Sequence, residues 1–137
     1  MSPKANAVLC DSIHMEDNGK FILVGVISGA LQTEMSSLEA RLALFLNIHD
    51  ISAGIHNFEL EVISPDRSRS SSNFEITVSE EISGTAIQVH DIPFESTVSG
   101  LFKLNWRLGK EKKWSPLIHI PLEILTAEQN KSREPNT

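Results

Sequence analysis

Five histidines, a pair of alternating glutamates and a run of serines are the residues of this chain whose types could do chemistry. Their spacing decides which of them can act together. His49 and His56 stand close enough to flank one hairpin and begin a metal site. A register that keeps Leu44, Leu46 and Ile48 on one face with Val62, Leu60 and Phe58 pairs 44 with 62, 46 with 60 and 48 with 58. His49 then belongs to the polar face and His56 to the apolar side of the loop, so zinc or iron ligation would need a bulge. The same register sets Asn57 opposite His49, Glu59 opposite Asn47 and Glu61 opposite Phe45. A histidine and a carboxylate diagonal across a strand pair could exchange protons near neutral pH. No nucleophile or pocket accompanies them, and alternating polar residues are the pattern of a solvated sheet face.

Glu59 and Glu61 also share a face at i and i+2, a separation open to a glycosidase pair, but no aromatic sugar platform stands beside them. Ser68 to Ser72 lack a G-x-S-x-G elbow and a placed histidine, so they read as a flexible hairpin tip. If every link is a simple reversal, the turns at 13–19, 51–55, 79–83 and 109–112 fall at one end of the fold. That end would gather Glu16, Asp17, Asn18, Asp50, Glu80 and Glu81. Calcium takes six to eight oxygens, and C2-like domains hold it in loops of this kind. Here only two of the residues are Asp, no D-x-D pair occurs, and Lys110, Lys112 and Lys113 share the end. These patterns lead us to expect no catalytic residue, no cofactor, no metal ligand and no enzyme activity.

The elements that would position these groups are strands. Leu42, Leu44, Leu46 and Ile48; Phe58, Leu60 and Val62; Phe74, Ile76 and Val78; and Phe102, Leu104, Trp106 and Leu108 all recur at every second residue. A period of two puts each series on one side of a strand. Strands are expected near 5–12, 20–27, 41–50, 56–63, 73–78, 85–91, 99–108 and 113–124. Asp17-Asn18-Gly19 tolerates positive φ, Ser64-Pro65-Asp66 presets a turn, and Gly109-Lys110 marks a hairpin between the last two strands. Pro116 and Pro121 cannot donate to a ladder, which makes the last strand an edge or a bulged strand. Phe21 to Ile27 is apolar nearly throughout, the pattern of a strand covered on both faces by the long 28–40 connection. That connection has room for a turn of helix around Ser36 to Ala40.

Eight short strands at this spacing predict an all-β fold, a single two-sheet antiparallel β-sandwich of immunoglobulin-like, C2-like or jelly-roll type. It is not an antibody-type domain, since paired Cys are missing and there is no Tyr for a tyrosine corner. The sandwich is expected over residues 1–127, with 128–137 a disordered polar tail.

At 137 residues the chain fits one domain, and it holds a single cysteine, Cys10, which excludes an internal disulfide. Residues 1–20 lack the apolar core of a signal peptide, and no stretch approaches the roughly 20 apolar residues of a membrane span. A cytoplasmic location, without membrane contact, is the expectation. The formal charge of −6 opposes nucleic acid, whose binding rests on Lys and Arg neutralising phosphates.

The opening Ala7-Val8-Leu9-Cys10-Asp11, followed by Gly19-Lys20 and Leu23-Val24-Gly25-Val26, resembles a family of small bacterial proteins of unknown function. The likeness continues through Arg41-Leu42-Ala43-Leu44-Phe45, the Ser64-Pro65-Asp66 turn and Gly100-Leu101-Phe102-Lys103-Leu104. It implies a single-domain β-sandwich, and neither a reaction nor functional residues come with it. What remains is a protein-binding or assembly module, acting on a protein partner or on itself. Candidate contacts are Phe45 with His49 and Glu59 on the polar face, and Trp114 and Ile118 on the proline-interrupted last strand. A small-ligand or calcium site at the acidic loop end is the second reading, and an enzyme with an unrecognised site the third.

Overall fold

The computed structural model describes residues 3–80, 84–109 and 111–125. Nine strands run through them: β1 (Lys4–Met15), β2 (Phe21–Val26), β3 (Leu31–Thr33), β4 (Leu38–His49), β5 (Gly54–Ile63), β6 (Arg69–Val78), β7 (Gly84–Ser96), β8 (Gly100–Leu108) and β9 (Ser115–Ile124). They form a four-stranded sheet in the order β2-β1-β4-β7 and a five-stranded sheet in the order β3-β9-β8-β5-β6. All pairs are antiparallel except β3 with β9. The inner faces close on one core: Leu9, Leu44, Leu46 and Phe94 from the first sheet lie in the same buried cluster as Phe58, Leu60, Phe102, Leu104 and Trp106 from the second.

The alternating series therefore do what their period demands. Phe94 and Phe102 meet edge to face across the sheets at 5.1 Å, and Phe58 stacks on Trp106 at 5.7 Å within the second sheet. Three turns form as their residues require. Gly19 takes φ 84° while Lys20 donates its N–H to the Asn18 side chain. Arg67 N–H closes on Ser64 O, with Arg67 at φ 70°. β8 and β9 are antiparallel neighbours on either side of the Gly109 turn, whose Lys110 lies outside the described residues. The last strand is bulged and only in part an edge: Leu104 faces Ile118 but Asn105 faces Pro116, leaving Leu117 over, and β3 lies outside it along Leu122 to Ile124.

Several expectations are corrected. β4 and β5 do not pair. β4 lies between β1 and β7, β5 between β6 and β8, and the short link after His49 carries the chain from one sheet to the other. The register that set Asn57 against His49 and Glu59 against Asn47 is thus replaced: Glu59 faces Asn73 and Arg107, and Glu61 faces Ser71 and Asn105. Ser70, Ser71 and Ser72 are strand residues opposite Val62, Glu61 and Leu60, because backbone pairing suffices for an edge whose side chains stay in water. No helix forms near Ser36; that connection holds β3 instead.

β7 outruns its expected end at residue 91 because it contains a bulge. Leu42 pairs with Ile92 and Leu44 with Val89, so three steps on β7 match two on β4, and Asp91 sits at φ 56°. The extra residue switches which side chains face the core, from Ile87 and Val89 to Ile92 and Phe94. A period-two reading stops at such a switch. The expected disordered tail, 128–137, lies outside the described residues.

Candidate functional site

The turns after β4, β6 and β8 share one end, since Gly54 faces Val78 and Gly109 N–H donates to Asn57 O, but the acidic turn after β1 does not join them. Cys10 pairs with Ala43 and Lys4 with His49, so β1 and β4 run in opposite directions and the turn after Met15 lies far from the turn after His49. β3 is the cause: it adds a pass between β2 and β4 that a chain of simple reversals lacks. Glu16, Asp17 and Asn18 are at one end, Asp50 and the start of β7 at the other, where Gly84 faces His49. Glu81 lies outside the described residues. Among the described residues no three His, Cys, Asp or Glu side chains are grouped so that they could hold a metal ion.

The outer face of the second sheet brings together two residues singled out in the sequence. Glu59 pairs with the Arg107 guanidinium, which also lies 4.1 Å from the centre of the Trp114 ring and donates to Lys112 O at 3.3 Å. One strand step away, Glu61 is almost fully buried between Arg69, at 3.6 Å, and the Asn105 amide, at 3.4 Å. Glu59 and Glu61 are thus each matched by a cation, which makes this part of the face a polar ladder. Arg107, which the sequence reading passed over, is the residue that ties Glu59 to Trp114. Ile118 is half-buried against the core and His49 is exposed at the far end of β4, away from both.

Phe45 is half-buried, and what covers it is the β1–β2 hairpin. Ala43 and Phe45 point to the opposite side of β4 from Leu42, Leu44 and Leu46, and there they join Cys10, Ile13, Phe21 and Leu23 in a second, separate apolar cluster. Phe21 and Phe45 rings are 5.0 Å apart. In the ladder Phe45 faces Val8, whereas Phe21 faces Met15 at the hairpin's end. The contact therefore requires the hairpin end to fold back across the outer face of β4. The bend falls at Asp11 and Gly25, the one position of the β1–β2 ladder without a bridged pair between Cys10 and Met15. Gly25 is at φ 69°, and a methyl group there would collide with the Asp11 carboxylate. The left-handed φ is what calls for glycine, and the close approach of Asp11 adds to it. Burial and the Asp11 charge push the Cys10 thiol above its ordinary pKa, which keeps it protonated and inert.

The fold-back leaves β2 uncovered on its other side, contrary to the expectation of a strand covered on both faces. Ile22 and Val24 on that side are 43% and 46% exposed; Val26, beyond the bend, is 51% exposed, and Met15, paired with Phe21 at the tip, 57%. They are four of the eight exposed large hydrophobics among the described residues. Surface apolar residues scattered singly need no explanation, but a grouping on one hairpin does. The continuous apolar run Phe21 to Val26 carried that signal; without the fold-back its two faces could not be told apart.

Clefts open elsewhere among the described residues. One, of about 550 Å³, opens beside Ile55, His56, Asn57, Leu108, Gly109 and Glu111. His56 Nε2 is 2.7 Å from Ser52 O and must donate to it, since a carbonyl only accepts. Another, of about 180 Å³, lies at the opposite end and is lined by Glu39, Glu95 and Asp66 among hydroxyls. Asp66 accepts from the Ser68 hydroxyl and N–H, which lowers its pKa. Glu39 and Glu95 are direct cross-strand partners. Like charges in that position repel, so Glu39→Gln is expected to raise stability by about 0.2–1 kcal/mol at low salt and by less at high salt, read from urea unfolding.

Among the described residues every buried side-chain nitrogen and oxygen has a hydrogen-bond partner, and no helix is long and apolar enough to cross a membrane. No protein-family model matches the chain, and no curated protein matches it.

Proposed function

We propose that this chain is a non-enzymatic β-sandwich module that binds a protein partner or assembles with itself. The observation that carries the reading is the exposed apolar residues of the β1–β2 hairpin, Ile22 and Val24 on its outward side with Val26 and Met15 exposed at its two ends. Apolar side chains held at the surface by a folded-back hairpin are suited to being covered by another protein, and they cost solubility if nothing covers them. The sandwich reading is supported by two sheets that enclose one core; the immunoglobulin-like, C2-like and jelly-roll connections all share that feature. The resemblance to small bacterial proteins of unknown function and a cytoplasmic setting belong to the same proposal.

Earlier candidates take different places in it. Phe45 supports the hairpin from beneath, and Glu59 with Trp114 is engaged by Arg107, so the contact surface moves from these residues to the hairpin. The double variant Ile22→Ser with Val24→Ser changes exposed positions only and is expected to fold. Ile55→Ser, at an equally apolar position that is 71% exposed elsewhere, is the control. Affinity capture from the native host, with sedimentation for self-association, should show one partner held by the wild type and by Ile55→Ser and lost by the double variant. Equal capture by all three, or a specific small molecule found in a metabolite screen with no protein partner, would refute the reading.

A further inference from the structure

The two apolar clusters of this fold do not merge, and they differ greatly in size. Nineteen buried residues make up the main core, whereas the outer one has three, Cys10, Ile13 and Ala43, with Phe21, Leu23 and Phe45 partly buried against them. Of these six, Ile13, Phe21 and Leu23 belong to the folded-back end of the hairpin, beyond the Asp11/Gly25 bend. None of the three contributes to the main core. The hairpin end lies at an edge, since β2 pairs with β1 alone. β1 and β4 stop pairing at Cys10 and Ala43, so no ladder bonds tie the hairpin end to the rest of the sheet.

We propose that the end of the β1–β2 hairpin, residues 12–24, is a strap that lifts from the outer face of β4 as a unit, bending at Asp11 and Gly25, while the main core stays closed. Lifting exposes a second apolar surface of Ala43, Phe45 and Cys10. The physical grounds are local. Opening breaks one small cluster and one ring contact but keeps the hairpin's own ladder, and regions with few buried contacts open at lower free energy than the whole fold. The left-handed conformation of Gly25 supplies a joint that other residues would resist. The strap would exist whether or not the hairpin binds a partner.

Cys10 reports on the strap directly, being the sole cysteine of the chain and fully buried under it. Its labelling by an uncharged thiol reagent, followed in the intact protein from zero urea through the unfolding transition, separates local from global opening. The strap predicts a native limb in which labelling is nearly independent of urea and at least about tenfold faster than global unfolding allows. Phe21→Ala should speed that limb about tenfold and lower the global folding equilibrium by no more than that same factor, since only the closed strap loses its contact. Phe94→Ala, in the main core, should lower the unfolding midpoint seen by tryptophan fluorescence and leave the limb unchanged. Hydrogen exchange should show the ladder amides of 12–15 and 21–24 still protected while Cys10 is labelled, because their bonds run within the hairpin and lift with it. Labelling that follows global unfolding at every urea concentration would overturn the strap, and so would fast labelling accompanied by loss of protection at amides 21–24, which would show fraying of the hairpin in place of lifting.

Discussion

Replacing Trp106 with Ala is expected to destabilise the protein by about 3–5 kcal/mol, the range for removing a large buried aromatic side chain. Trp106 is only 6% exposed, pairs with Leu60 on β5 and stacks on Phe58 with an angle of 12° between the rings. No flexible neighbour stands ready to fill the space: Phe58, Leu60 and Leu104 are themselves fully buried and held by the ladder. Domains are stable by about 5–15 kcal/mol in all, so the loss is a large share of the total. Urea unfolding followed by circular dichroism measures it. An unchanged midpoint would remove Trp106 from the core and with it the placement of β8.

Phe94→Ala is expected to cost a similar amount, about 3–5 kcal/mol, by a route that tests how the sheets meet. Phe94 lies on β7 of the first sheet and Phe102 on β8 of the second, both fully buried and in edge-to-face contact. A double-mutant cycle with Phe102→Ala should return a coupling of about 0.5–1.5 kcal/mol, as ring pairs in contact do. Additive losses would mean that the two sheets do not press these rings together.

The strands were legible in the sequence where one face is buried and the ladder is regular. Leu42 to Ile48, Phe58 to Val62 and Phe102 to Leu108 alternate because the core selects every second side chain. The β7 bulge broke that logic locally, since Asp91 shifts the phase and no residue type marks the shift. β3 was missed because three residues paired at a sheet edge need no periodic pattern. Pairing between neighbours in sequence is the commonest arrangement, and assuming it for β4 and β5 misplaced His49, Asn57 and Glu59 together. The candidate surface was half legible. The apolar run Phe21 to Val26 stood out, but which side faced water depended on the bend at Gly25, a property of φ that composition does not disclose. Arg107 carried no signal of its own until β5 and β8 became neighbours and set it beside Glu59.

The central claim is that the protein works through the exposed side of the β1–β2 hairpin. It is tested most directly by placing a photoreactive amino acid at position 22 and, in a second protein, at position 55, and irradiating each in the native host. Both positions are exposed and apolar, so both tolerate the replacement. The account predicts one dominant protein adduct, another chain or a second copy, formed from position 22 and absent from position 55. Adducts formed equally from both, or only from position 55, would contradict it.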